Sequence, residues 1–373
     1  MRIVPVVIPG IMGSSLQYDN YSYSTPLTLW SNDIRENYDR LINSPGTLAW
    51  NNNPAKASLI EQFTVSARIP LFASSLPLKR VPIWGRVLDW IHHHPTLASA
   101  ATVSFGYDWR APLNGTAKHL SDRLRIEANK DVSQPRNAEE TKFLIVAHSM
   151  GGIVAMLALG EKLIDPSWID RLVLIGTPLS GSPSAFSAAC EKVNLPFFTE
   201  VFGFVRRSNT VLFYKHLLEC IRTFPSIYGL LPPEEVPYLY YGHSSRSNPL
   251  RENSMPSELQ TIARQTRDTV ERAFNIIQSC GIDVHSIYTE VNTNKKTELE
   301  YRVTPHGNNY GYTIEECIAS TIYGDGTVPS DSARGPSNLK HLTVVNVDHA
   351  FLCNNPTVVE CLTALIPQGS YAS

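Results

Sequence analysis

Long apolar runs are missing from this sequence. No run approaches the roughly 18 residues that a membrane-crossing helix requires. The opening residues, MRIVPVVIPG, lack the long hydrophobic stretch and the small-residue cleavage site of a secretory signal. Hydrophobic residues make up 43% of the 373 positions and charged residues 18%, which is typical of a globular protein with a large core. We therefore expect a soluble protein that is either cytoplasmic or a mature form, and we favour the cytoplasmic one.

A charge excess of either sign is missing as well. The chain has 32 Lys+Arg and 34 Asp+Glu, a net charge of -2. Because nucleic-acid surfaces usually show a basic excess, we expect no nucleic-acid partner.

The six cysteines include no CxxC pair, so reduced thiols are expected. Neither a glycine-rich dinucleotide motif before a helix nor a Walker loop is present, and we expect no cofactor.

Three consecutive histidines, His92 to His94, are the one stretch whose composition suggests a metal. They follow a tryptophan at the end of a helix-like pattern. We interpret them as solvated histidines at a helix end and expect no metal site.

Short apolar runs alternate with helical patterns along much of the chain. The predicted strands are 3–8, 102–105, 143–147, 172–175, 284–288 and 342–347, and the predicted helices are 116–129, 152–163, 257–279 and 357–365. Continuous apolar strands separated by helices indicate a parallel sheet that is buried on both faces.

Two stretches interrupt this rhythm. Residues 14–98 contain Trp, Pro and Asn clusters with weak periodicity, so we expect irregular structure there. Residues 183–255 are rich in proline and aromatics and lack strand–helix alternation. We predict one α/β core with a mostly parallel sheet and helices on both faces, made of 1–182 and 281–373. A cap or lid at 183–280 would be inserted into it.

Ser149 lies where a strand-like run changes into a helix-like run, in KFLIVAHSMGGIVAM. A nucleophilic serine on such a sharp turn needs small residues two positions before and after it, because the turn is strained. Ala147 and Gly151 occupy those positions, and Gly152 is a further small neighbour. The N-terminus of the helix would favour negative charge beside the serine. Ser149 is therefore the candidate nucleophile.

A nucleophilic serine needs a base, and in chains with this turn the acid and then the histidine follow it. The later histidines include His216, His243, His285, His306, His341 and His349. His341 precedes the last predicted strand, so we expect it at the opposite edge of the sheet. His349 comes just after that strand, where the active sites of such sheets lie. His349 is the candidate base.

The acid has more than one candidate. Asp325 lies between glycines in YGDGTVP, and these glycines would allow a tight loop to direct its carboxylate inward. Asp-Gly is also common in ordinary turns. Glu290, at the end of a predicted strand, is the geometric alternative. Asp331 and Asp348 are weaker, and Asp348 would hardly reach the ring of the neighbouring His349.

Two backbone N–H groups should bind the oxyanion of an acyl-transfer intermediate. One should belong to Met150, which follows the candidate nucleophile, and the other to the loop after the first strand. That loop is IPGIMGSSL, and we select Ile11, just after Gly10, as the second donor. Gly10 and Gly13 could equally serve only to turn the chain.

Several blocks together resemble one family, the lecithin:cholesterol acyltransferase-like branch of the α/β-hydrolases, and especially its bacterial members. The blocks stand in family order: VVIPGIMGSSL, TLW, GYDWR, VAHSMGG, LIGTPLSGSP, YGLLPP, GDGTVP and DHAFL. They span nearly the whole chain. VAHSMGG alone occurs in many lipases, whereas YDWR with a later GDGTVP is specific to this family. Its secreted animal members carry disulfides, and the cysteines here do not fall at corresponding positions.

The resemblance implies the triad Ser149, Asp325 and His349, with the oxyanion held at Ile11 and Met150. It implies acyl-ester chemistry on lipid-like substrates, either as hydrolysis or as transfer to an alcohol. Asp108, Trp109 and Arg110 match the YDWR block, and we interpret them as organising the wall of the site. The alternatives are an esterase or thioesterase for a non-lipid substrate and a non-catalytic binding protein with this fold.

A phenylalanine-rich stretch in the predicted cap, LPFFTEVFGFV, could meet the apolar part of a substrate. Its members Phe197, Phe198, Phe202 and Phe204 could line an acyl pocket or contact a membrane surface. A packed cap core is an equally good interpretation, because phenylalanine is usually buried.

Overall fold

The computed structural model of the protein combines parallel and antiparallel strands with helices. It describes residues 2–18, 27–68, 75–130, 140–189, 210–232, 239–241, 257–291, 300–305, 312–318, 323–337 and 339–366. The strands are β1 (Arg2–Ile8), β2 (Ser14–Tyr18), β3 (Leu27–Trp30), β4 (Lys56–Leu59), β5 (Gln62–Arg68), β6 (Ser75–Pro82), β7 (Val103–Ser104), β8 (Thr141–His148), β9 (Ile169–Ile175), β10 (Leu239–Tyr241), β11 (Asp283–Val291), β12 (Glu300–Pro305), β13 (Tyr312–Ile318) and β14 (Lys340–Val345). The helices are α1 (Ile34–Asn43), α2 (Gly85–His93), α3 (Leu113–Asn129), α4 (Met150–Gly160), α5 (Pro183–Ala189), α6 (Thr210–Ile221), α7 (Pro225–Tyr228), α8 (Ser257–Cys280), α9 (Ser330–Arg334) and α10 (Pro356–Leu365).

Within the described ranges, the central sheet has six strands in the order β14-β11-β9-β8-β1-β7. Every neighbouring pair in it is parallel. The inner strands β1, β8 and β9 are almost wholly buried, as expected when both faces of a parallel sheet are covered. Every residue of α4 is buried too, and this helix packs against α3 and α8. The predicted α/β fold with a mostly parallel sheet is confirmed.

The prediction of irregular structure for residues 14–98 was wrong. β2 pairs antiparallel with both β3 and β4, and β5 pairs with β6 as a hairpin. The chain also forms α1 and α2 within this stretch. β4 alternates exposed and half-buried residues, so it carries no apolar run. Its pairing is set by contacts distant in sequence, such as Ser14 with Leu59, and local periodicity does not report such contacts.

The predicted cap at 183–280 includes α5, α6, α7 and α8. Of these, α8 packs against α4. The chain continues from α8 into β11, which pairs with β9 in the central sheet. The division of the chain into a core and a cap at 183–280 stays a prediction. A separate three-stranded sheet has the order β10-β12-β13.

Candidate active site

Ser149 occupies the junction between β8 and α4, with φ 55° and ψ -127°. Such a positive φ is strained for a residue with a side chain, and it persists only where the surroundings hold it. The Ser149 amide donates to the carbonyl of Ile175 on the adjacent β9 at 2.9 Å. A Cβ at Gly151 would lie 2.4 Å from the carbonyl oxygen of Pro9, so the turn needs glycine there. The small residue expected two positions after the serine thus has a steric cause.

Three side chains predicted from the sequence lie within hydrogen-bonding distance of one another. His349 Nε2 is 2.8 Å from Ser149 Oγ, and His349 Nδ1 is 2.7 Å from Asp325 Oδ2. Because a carboxylate only accepts, Nδ1 carries the proton and Nε2 can accept from the serine hydroxyl. All three residues are buried, with 3% to 7% of their surface exposed. The order serine, histidine, carboxylate is that of a hydrolase triad.

The loop around Asp325 holds its carboxylate in place. Oδ1 accepts from the amides of Thr327 at 3.0 Å and Val328 at 2.7 Å, which leaves Oδ2 for His349. The Asp325 carbonyl accepts in turn from the His349 amide at 3.0 Å, so the two residues are joined by backbone as well.

The alternative acids lie elsewhere. Glu290 is exposed at the end of β11, and no hydrogen bond joins it to His349 in the described part of the chain. Asp331 is exposed on α9 and lies 3.8 Å from Arg334. Asp348 directly precedes His349, at the start of a 3-10 turn that spans His349–Asn354.

His148, which directly precedes the candidate nucleophile, is a second buried histidine at this site. Its Nε2 lies 2.9 Å from the backbone carbonyl oxygen of His349, and its ring lies 4.8 Å from the His349 ring. Burial, followed by the nearby His349, lowers the pKa of His148 to about 3. His148 is therefore neutral, and its Nε2–H donates to the carbonyl. Our sequence reasoning did not assign it a role, although it stands in the stretch that identified Ser149.

The loop after β1 passes directly beside Ser149. A Cβ at Gly10 would lie 2.8 Å from Ser149 Cβ, and the amide of Gly13 donates to the Gly10 carbonyl at 3.1 Å. Ile11 lines the cavity at the serine, and Met150 is the buried first residue of α4. The two predicted oxyanion donors therefore belong to the segments that flank Ser149, and the N–H of Met150 is one that an α-helix does not pair within itself.

A cavity opens at Ser149 and His349, and most of its lining is apolar. The larger apolar side chains in this lining are Phe63, Ile83, Trp84, Ile221, Ile227 and Leu230. Ser182, Ser184 and Thr327 add hydroxyl groups on one side. The lining suits a hydrocarbon chain better than a charged group.

The GYDWR block bonds mainly to neighbouring loops. Arg110 forms a two-point ion pair with Asp108, at 2.9 and 2.7 Å, and both side chains are buried. The Asp108 carboxylate also accepts from the amide of Ala55, and the Trp109 indole donates to the carbonyl of Ser14. None of the three is among the described residues that line the cavity at Ser149. They join loops to one another, and their role in the wall of the site stays a prediction.

The remaining predicted positions fall apart from the triad or outside the described residues. The expectation of solvated histidines was wrong for His94, which is buried and bonds to the carbonyl of Ile366 through a ring nitrogen. His93 is exposed and bonds in the same way to the carbonyl of Asp89. His341 lies in β14. The stretch with Phe197, Phe198, Phe202 and Phe204 lies outside the described residues. In the part of the chain that is described, no helix has both the length and the apolar character to cross a bilayer.

The family model for lecithin:cholesterol acyltransferase matches residues 68–202, a stretch that contains GYDWR and Ser149. This stretch of the chain is similar to the lecithin:cholesterol acyltransferase family. The predicted resemblance is thereby confirmed over residues 68–202, and it supports an acyl-ester hydrolase or acyltransferase as the class of protein. Asp325 and His349 lie beyond the matched residues, so their assignment depends on the geometry above.

Known proteins that are similar to this chain differ from it greatly in sequence. The crystal structure of the Tle4–Tli4 complex matches with a TM-score of 0.53 and 14% identity, covering 100% of this chain and 99% of that one. The mature lipase BlEst2 of Bacillus licheniformis matches with a TM-score of 0.41 and 12% identity, over 74% of this chain and 82% of that one. An uncharacterized protein of Saccharomyces cerevisiae is 33% identical over 98 residues, which are 26% of this chain and 13% of that relative. The first of these comparisons shows a common fold.

Proposed function

We propose that this protein is a serine-dependent acyl-ester hydrolase or O-acyltransferase that acts on lipid-like esters through an acyl-enzyme at Ser149. The supporting observation is one continuous chain of contacts. Ser149 Oγ lies 2.8 Å from His349 Nε2, and His349 Nδ1 lies 2.7 Å from Asp325 Oδ2. A serine hydroxyl is a weak nucleophile unless such a base accepts its proton.

In the first step, Ser149 Oγ attacks the carbonyl carbon of the ester while His349 Nε2 takes the hydroxyl proton. Asp325 stabilises the resulting imidazolium and keeps its ring oriented. The negative charge that develops on the carbonyl oxygen is bound by the amides of Ile11 and Met150. When the tetrahedral intermediate collapses, His349 returns the proton to the departing alcohol and the acyl group stays on Ser149.

In the second step, an acceptor hydroxyl attacks the acyl-enzyme and gives its proton to His349. The bond between the acyl carbon and Ser149 Oγ then breaks, and His349 returns the proton to Ser149 as the product leaves. Water as the acceptor makes the protein a hydrolase, and an alcohol makes it an acyltransferase. The same residues serve both outcomes, so the outcome depends on which acceptor the cavity admits.

The apolar lining of the cavity supports a substrate with a long hydrocarbon chain. Phe63, Trp84 and Leu230 contribute to the lining, and each is buried. Burying an acyl chain against such side chains would contribute roughly 0.8 kcal/mol per methylene group.

Product analysis tests this function. The purified chain is incubated with a phospholipid, a triacylglycerol or a water-soluble short-chain ester, each with and without a long-chain alcohol, and the products are resolved. We expect free fatty acid or a new ester from the lipids, with a preference for longer acyl chains. Turnover of only the short-chain ester or of a thioester would contradict the lipid assignment, and no turnover of any ester would contradict the enzyme assignment.

The matched control in this assay is Ser149→Ala, which removes one oxygen atom from the turn. We expect it to lower kcat on the order of 10⁶-fold while the fold is kept. Activity that survives in this variant would come from a contaminant or from another nucleophile.

A further inference from the structure

Two serine hydroxyls at the start of α5 donate to the same backbone oxygen. Ser182 Oγ lies 2.7 Å and Ser184 Oγ 3.0 Å from the carbonyl oxygen of Thr327. Both serines are buried, with 4% and 5% of their surface exposed. Both also line the cavity at Ser149. A hydroxyl has one proton to donate, so neither serine has a donor left for a substrate.

The peptide unit that receives these two bonds is also the one that holds the candidate acid. Its carbonyl belongs to Thr327 and its N–H to Val328, and this N–H donates to Asp325 Oδ1 at 2.7 Å. Bonds accepted at the carbonyl end of a peptide strengthen the donor at its N–H end, because the unit is polarised along its length. The serines are thereby connected to the carboxylate through a single rigid, planar group.

A second link joins the loop after β9 to α9, which follows the loop that contains Asp325. This link does not involve the peptide unit between Thr327 and Val328. Ser332 Oγ donates to the carbonyl of Gly181 at 2.6 Å and accepts from the amide of Ser180 at 3.1 Å. The loop after β9 and the acid loop would therefore stay together without the pair Ser182 and Ser184. The particular contribution of the pair is the orientation of the Thr327 peptide.

We propose that Ser182 and Ser184 are positioning residues that hold Asp325 in line with His349 through the peptide unit between Thr327 and Val328. This inference rests on the proposed function, because it assigns Asp325 the role of the acid. The pair also connects the beginning of the predicted cap with the triad, since α5 starts at Pro183.

The test compares kcat for a soluble ester in the serine double variant, in Asp325→Asn and in the variant that combines them. Ser182→Ala/Ser184→Ala should lower kcat by about 10- to 100-fold, the loss expected when a catalytic group is misplaced by about 1 Å. KM should change less than about twofold, because both hydroxyl protons are donated to the Thr327 carbonyl and not to the substrate. Asp325→Asn alone should lower kcat about 10⁴-fold. The combined variant with all three changes should fall no more than about threefold below Asp325→Asn, because residues that act as one unit are not additive.

Two results would overturn the inference. One is a wild-type kcat in Ser182→Ala/Ser184→Ala, and the other is a combined variant whose loss is the product of the separate losses. A wild-type kcat in Asp325→Asn would instead overturn the proposed triad itself, so the two failures are distinguishable. Each single variant, Ser182→Ala and Ser184→Ala, leaves one donor on the Thr327 carbonyl. These variants are measured in the same cycle, so the test does not depend on the double variant folding.

Ser332→Ala is the matched control, because it removes a serine hydroxyl that joins the same two loops. We expect kcat to stay within about twofold of wild type in its folded fraction, although its unfolding temperature should fall. A loss of kcat equal to that of the Ser182 and Ser184 variants would show that breaking any bond between these segments lowers kcat, and it would overturn the assignment to the pair.

Discussion

His148 Nε2 lies 2.9 Å from the backbone carbonyl oxygen of His349, across 201 positions of sequence. The residue before the candidate nucleophile therefore holds the chain at the candidate base. The His148 ring also meets the Trp84 ring edge-on, with 6.3 Å between centroids, which limits its rotation. His148, the last residue of β8, thus contacts His349 twice, once at the ring and once at the backbone.

We expect His148→Phe to lower both activity and stability. Phe keeps a planar ring but has no donor, so the buried His349 carbonyl loses its partner at a cost of about 1–3 kcal/mol. kcat should fall on the order of tenfold, because the base is less firmly placed. His148→Gln retains an amide donor and should recover most of both losses. Equal kcat and unfolding temperature in wild type and His148→Phe would contradict this role.

The same residue predicts a pH dependence of stability. Burial lowers the pKa of His148 to about 3, whereas an unfolded histidine has a pKa near 6.5. Between these values the unfolded chain binds a proton that the folded chain does not, so this contribution to stability is present above about pH 6.5 and is lost as the pH falls toward 3. Its slope approaches about 1.4 kcal/mol per pH unit.

Urea unfolding of wild type and His148→Gln between pH 7 and pH 4 measures this contribution. Other groups titrate in both proteins, so the informative quantity is the difference between the two free energies of unfolding. We expect wild type to lose more stability than the variant as the pH falls. Parallel curves would mean that His148 is not buried in its neutral form.

Gly10→Ala should impair Ser149 with little effect on the rest of the fold. Its new Cβ would lie 2.8 Å from Ser149 Cβ and 3.3 Å from Ser149 Oγ, so the serine or the loop must shift. We expect kcat to fall roughly 100-fold, as for a misplaced reacting group. Gly115→Ala is the control, because a Cβ there meets nothing within 4 Å in α3 and should leave kcat unchanged. A fully active Gly10→Ala would contradict the close approach of this loop to the nucleophile.

Arg110→Lys should reduce stability and leave the chemistry largely intact. Arg110 bonds to both Asp108 oxygens and to the carbonyls of Leu48 and Ala49, and one ammonium group cannot reproduce this fork. Breaking a buried ion pair costs about 3–5 kcal/mol, and a lysine that keeps part of it should cost less. kcat of the folded fraction should stay within about threefold of wild type.

The control for this change is Arg125→Lys, in an ion pair with Asp122 whose side chains are about half exposed. That substitution should alter the free energy of unfolding by less than about 0.5 kcal/mol. If Arg110→Lys were equally mild, the buried pair would not be an important support of these loops. If it abolished kcat in folded protein, the GYDWR block would take part in the chemistry.

Much of the core could be predicted from the sequence because its signals are local. The apolar runs of β1, β8 and β9 and the period of α8 are visible within single windows of the chain. Ser149 is recognised by its small neighbours, and its positive φ is the physical reason that they are small.

What the sequence could not reveal depends on contacts between distant residues. From the residues alone, Asp325 and Glu290 were both candidates for the acid of the triad, and the resemblance favoured Asp325. In the structure Asp325 bonds to His349, whereas Glu290 is exposed. The bond from His148 to the His349 carbonyl and those from Ser182 to the Thr327 carbonyl involve a backbone acceptor, which no side-chain pattern marks.

The central claim is that Ser149 carries the acyl group, and covalent labelling tests it most directly. The folded chain is treated with a fluorophosphonate, digested, and the modified peptide is sequenced by mass spectrometry. We predict one adduct per chain, on Ser149, that is absent in Ser149→Ala and forms far more slowly in His349→Ala. An adduct on another residue, or equal labelling of wild type and Ser149→Ala, would contradict the account.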